Sequence, residues 1–106
     1  MSANPHRGEA AFTIAGVPHI LRPSFAALVG AEEELGPLFA LVERAAGGEL
    51  KLGEMAALFW HCLVTRDAVP REGVGQAIVE AGLATAAKPL RTLIAQILQG
   101  GGEGHG

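Results

Sequence analysis

The sequence predicts a small α+β domain, mainly helical, in which an N-terminal β-hairpin is followed by four to five short α-helices. Three observations predict it. Phe12, Ile14, Ile20 and Arg22 are spaced by two within the arms of a segment centred on Ala15-Gly16. Beyond Pro23 the apolar residues change to i, i+3, i+4 spacing. Glycines and prolines then cut this stretch into pieces of ordinary helix length.

In the hairpin, Gly16 supplies the positive φ of a tight turn, with Ala15 in a place usually held by Asn or Asp. Pro18 has no N–H to donate, so its strand must present that position at an edge. Ser24 is the cap of a first helix whose Phe25, Leu28, Val29 and Leu35 form one side and which Gly36 ends. Pro37 suits the first position of a second helix, with Leu38, Leu41, Val42 and Ala45 as its stripe and Gly47-Gly48 as its stop. The third helix spans about Leu52 to Thr65. Met55, Phe59, Cys62 and Leu63 make one apolar row on it and Ala57, Trp60 and Val64 a second, leaving Glu54, His61 and Thr65 as a narrow polar line.

Val74, Ala77, Ile78 and Ala81 give a fourth helix, weakened by Gly73 and Gly75 and ended by Gly82. The last helix, about Ala84 to Leu98, carries Leu83, Ala87, Leu90, Ile94, Ile97 and Leu98 along one face. Pro89 requires either a start near Lys88 or a kink in a helix that begins earlier. These signals divide the chain into an N-terminal arm at 1–8, one domain at 9–98 and a flexible glycine-rich tail at 99–106.

A chain of 106 residues has the size of one domain, and 49% apolar against 18% charged residues suffices for a core. Cys62 is the only cysteine, so no disulfide forms within the chain. Eight Lys and Arg, scattered singly against eleven Asp and Glu, give a net charge of -3. That distribution argues against nucleic acid, whose phosphates require clustered cations. No apolar run approaches the ~20 residues that span a bilayer, and the first residues lack the order of a signal peptide. The expectation is a cytoplasmic protein without membrane contact.

The residues offer little chemistry. His61 and Cys62 are adjacent on a helix and point about 100° apart, and no other pair has the i, i+3 or i, i+4 spacing of metal ligands, so no metal site is expected. Ser24 is a helix cap and Cys62 lies on the core row, so neither has the base and orienting group of a catalytic nucleophile. The glycines form no phosphate-binding pattern, and no cofactor is expected. A small metal protein or enzyme is therefore the least supported reading.

Two features could meet a partner. Glu32, Glu33 and Glu34 place negative charge in the last turn of the first helix, against its dipole. The third helix, with Phe59, Trp60 and Val64, has more apolar circumference than one neighbouring layer covers, so it serves equally as monomer core, homo-oligomer seam or partner surface.

The order of these signals resembles a known family. Asn4-Pro5-His6-Arg7-Gly8-Glu9 precedes the hairpin from Phe12 to Leu21, and Phe25-Ala26-Ala27-Leu28 opens a Glu-rich helix ending in Leu35-Gly36. Gly48-Glu49-Leu50-Lys51-Leu52-Gly53-Glu54-Met55-Ala56-Ala57-Leu58 and the Glu80-Ala81-Gly82-Leu83 step follow. From Asn4 to Leu98 the chain is similar to the small tail protein of gene transfer agents, found in alphaproteobacterial prophage-like tail clusters. The resemblance implies a tail-morphogenesis role without catalytic residues: a tail assembly chaperone binding the tape-measure protein, or a tail tube subunit acting with the major tail protein in phage-like particles. Members commonly carry a polar cap before the third helix, where this chain has Lys51.

Overall fold

The computed structural model describes residues 8–100, and most of the 1–8 arm and the 99–106 tail lie outside them. Strands β1 (Ala10–Ile14) and β2 (Val17–Leu21) form an antiparallel pair with Ala10 opposite Leu21, Phe12 opposite His19 and Ile14 opposite Val17. Five helices follow: α1 (Phe25–Leu35), α2 (Leu38–Ala46), α3 (Leu52–Cys62), α4 (Arg71–Ala81) and α5 (Leu83–Gln99), with a 3-10 turn at Arg66–Ala68. The expected α+β, mainly helical architecture is the one observed. Gln99 closes α5 rather than opening a tail.

Ala15 and Gly16 both have positive φ, 52° and 82°, as a two-residue turn matching the strand twist requires. Ladder bonds alternate along an antiparallel strand. Ile20 turns its carbonyl away from β1 to accept the Val64 N–H at 3.0 Å, so Pro18, two residues earlier, also lacks its donor on the outward side. The inward residues are Ala10, Phe12, Ile14 and Leu21, and Ile20 is only partly buried.

α3 is the central element, packed between α1 and α4. It ends at Cys62, three residues before the expected Thr65. The cause is the sheet: Leu63 becomes extended and bridges to Leu21, while the Arg22 N–H donates to the Cys62 carbonyl at 2.7 Å. Val64 therefore stands beside β2 and not on a helical row with Ala57 and Trp60. At its start, the Glu54 carboxylate accepts the Lys51 N–H at 2.9 Å, so the first turn is held from within the helix.

The buried face of α1 keeps Leu35 of the expected stripe but is otherwise built from small residues. Ala27 and Ala31 are buried, whereas Phe25 is 85% exposed. Small residues face α3 because the two backbones run close; a Cβ added at Gly30 would come within 2.9 Å of His61 Nδ1. Ser24 caps α1 as expected, its hydroxyl accepting the Ala27 N–H. Pro37 lies one residue before α2, and the Glu32 carboxylate accepts the Leu38 N–H at 2.9 Å, the N-terminal cap that proline cannot supply.

Only Gly82 separates α4 from α5, and its φ of 91° makes the reversal possible without strain. α5 continues through buried Pro89, so the earlier of the two expected starts holds. Phe59, Leu58, Leu41, Ile78, Leu93 and Val74 occupy the middle of the core.

Candidate functional site

An open apolar groove runs between α5 and the α2–α3 junction. Leu83, Ala87, Leu90, Ile94 and Leu98 form its α5 wall, and Ala45, Ala46, Leu50, Leu52 and Met55 the facing one, around a volume of about 780 Å³. The local sequence explains the trough. α2 ends in two alanines, which fill little space, and Gly47-Gly48 turns the chain before α3 begins. α5 carries a broader apolar arc than the core needs: Ala86, Leu90 and Leu93 point inward, while Leu83 and Leu98 remain 61% and 60% exposed. With Leu52 at 45%, three leucines face solvent along one trough. An apolar concavity bordered by helices is the shape that receives an amphipathic helix.

The sequence-predicted partner residues are distributed differently. Phe59 is fully buried, with its ring 5.3 Å from that of Phe12 in an edge-on contact, so it belongs to the core and not to a partner face. Trp60 is half-buried and donates its Nε1–H to the Val69 carbonyl at 3.0 Å. The Arg71 guanidinium lies 4.6 Å and that of Arg66 5.9 Å from the Trp60 ring centroid. Val64 is 48% exposed beside the hairpin. α4 covers the side of α3 that the sequence leaves open, and so moves the apolar surplus to α5.

The three glutamates do not act as one acidic knob. Glu32 caps α2. Glu34 accepts from His61 Nε2 at 2.9 Å and from Arg71, which ties the end of α1 to α3 and α4. The His61 hydrogen bond, then that of Arg71, holds the Glu34 carboxyl below its ordinary range. Among the described residues, Glu33 alone of the three makes no such bond. Arg66 donates to the His61 carbonyl at 2.9 Å, placing a cation at the C-terminal end of α3.

Elsewhere, Arg44 bridges α2 to α3 through Glu54 at 2.6 Å, and buried Glu9 accepts from Arg22 at 2.6 Å. Burial pushes the Cys62 thiol up to about 12, so the sulfur stays protonated and packs as a small apolar group. No group of His, Cys, Asp and Glu able to hold a metal ion occurs among the described residues, and no helix there is long and apolar enough to cross a membrane. Local spacing does not reveal the groove, because its lining comes from three helices and the segment between two of them. The signal that could have found it is the run Leu83 to Leu98, longer than one neighbouring layer covers.

A family model described as phage tail tube protein, GTA-gp10, matches residues 7–100. No curated protein and no solved structure matches the chain.

Proposed function

The chain belongs to the phage tail tube protein family GTA-gp10, with a structural or morphogenetic role in a phage-like tail, and from that premise we propose that it is a non-enzymatic tail assembly chaperone binding the tape-measure protein. The observation that carries this reading is the groove between α5 and the α2–α3 junction. A tape-measure protein is long, and an amphipathic helix of it left unpaired before assembly would expose an apolar stripe. The groove offers such a stripe a complementary surface, to be vacated as tube subunits polymerise around the measure.

The fold also supports this reading. A tube subunit builds rings from sheets that face a lumen, whereas the described residues contain one two-stranded sheet beside five helices. The tube-subunit reading draws its support from the family's description.

Co-expression with the tape-measure protein of the same cluster tests the proposal. Affinity capture followed by light scattering should yield a mixed complex. Rings or tubes formed by the protein alone, or its presence in finished particles at tube stoichiometry, would establish the subunit role instead.

A further inference from the structure

The groove is apolar along its floor but unequal in charge along its rims. Arg91 lies in the α5 wall, and Lys88, exposed, stands one turn before it at i, i+3. Among the described residues neither side chain makes a salt bridge or a side-chain hydrogen bond. The facing rim is balanced: Arg44 binds Glu54 and attracts Glu49, and exposed Lys51, between groove-lining Leu50 and Leu52, is the second cation beside these two carboxylates. The α5 rim is thus left with two cations and no carboxylate, on a chain whose net charge is -3.

We infer that the groove takes an amphipathic helix of another protein whose apolar stripe is bordered, on the side facing α5, by carboxylates that pair with Arg91 and Lys88. The inference rests on the reading of the groove as the partner-binding surface and adds the partner's chemistry. Leu83 to Leu98 spans about 22 Å of α5 at 1.5 Å per residue, the length of about four helical turns. Leucines in the groove supply the area, and the cationic rim sets rotation and direction, since charge at the edge of an apolar contact selects partners more than it strengthens binding.

Two designed peptides of about 18 residues test this, with the same leucine stripe at i, i+3, i+4 and i+7 but flanked by glutamates in one and lysines in the other. Fluorescence anisotropy with the full chain should show the glutamate peptide binding about tenfold more tightly, with the difference shrinking at high salt. Lys88→Glu with Arg91→Glu should reverse the preference, and Arg91→Lys should retain it. Both Arg91 and Lys88 are exposed, so the variants should keep the native melting temperature. Equal binding of the two peptides, binding of neither, or a dimer of the chain alone that Leu98→Glu dissolves would overturn the inference. Its failure is distinct from that of the chaperone reading. Tape-measure capture insensitive to the charge reversal would sink the rim assignment alone, whereas selective binding of the glutamate peptide without tape-measure capture would sink the chaperone role alone.

Discussion

Gly30 of α1 approaches His61 of α3 so closely that a Cβ on Gly30 would lie 2.9 Å from Nδ1 of the imidazole. The ring cannot swing away freely, because its Nε2–H is engaged by Glu34. Gly30→Ala therefore forfeits the ~1 kcal/mol that alanine ordinarily gains over glycine in a helix, and destabilises by about 1–2 kcal/mol through the clash. In a His61→Ala background the same substitution should stabilise by about 1 kcal/mol. A urea-denaturation double-mutant cycle reads the difference, and additivity of the two changes would refute the contact.

Glu34 and Glu54 share a pH signature. Hydrogen bonds, from His61 to Glu34 and from Arg44 to Glu54, hold both carboxyls below the ordinary value of 4.5 in the folded chain. A lowered folded-state pKa means that the unfolded chain takes up protons first as pH falls. The stabilisation is thus complete above pH 4.5 and is lost below it, as pH falls through the two lowered values. Solvent screening keeps the contribution of each pair small. Melting temperature measured from pH 7 to pH 3 should fall below pH 4.5, with a shallower fall in Glu34→Gln.

Ala15 holds a φ of 52°, a left-handed conformation that strains a residue with a Cβ. The side chain is exposed, so exchanging it disturbs no packing. Ala15→Asn should raise stability by about 0.5–1 kcal/mol without altering the hairpin register, as thermal melts would show. A loss of stability would mean that the turn is not of this type.

What was legible in the sequence and what was not follow from how residue types signal their surroundings. The hairpin was legible because Ala15-Gly16 interrupts two alternating arms, and the helices because Gly36, Gly47-Gly48 and Gly82 end them. The face of α1 was only partly so, because the helix packs mostly through the small Ala27, Gly30 and Ala31, with Leu35 the large apolar residue set against the core, while Phe25 stands in solvent. The end of α3 was not, because Leu63 and Val64 fit a helical row as well as a strand, and only the nearby Ile20 to Arg22 segment draws them into extended pairing. Surplus apolar surface was legible as a quantity, but its place depended on α4 lying over α3, a long-range choice that local spacing does not encode.

Phe59 and Trp60 separate core from surface within one turn of α3. Phe59→Ala removes a fully buried ring in contact with Phe12 and should destabilise by about 3–5 kcal/mol. Trp60→Phe keeps much of the aromatic area but gives up the bond to the Val69 carbonyl, at a cost of about 1–2 kcal/mol. Chemical denaturation ranks the two, and a mild effect at Phe59 would contradict its burial.

Leu98 and Val64 distinguish the two surfaces on which a partner could dock. Both are exposed, at 60% and 48%, so replacing either with a polar residue should leave stability within about 0.5 kcal/mol. Leu98 lines the groove and Val64 does not. Leu98→Glu places a charge against the apolar face of a docked helix and should reduce tape-measure capture at least tenfold. Leu98→Gln, which adds no charge to the C-terminal turn of α5, controls for an unfavourable interaction with the helix dipole and should also weaken capture. Val64→Glu should leave capture unchanged. The opposite pattern, with capture lost at Val64 and retained at Leu98, would transfer the partner surface from the groove to the end of α3 beside the hairpin.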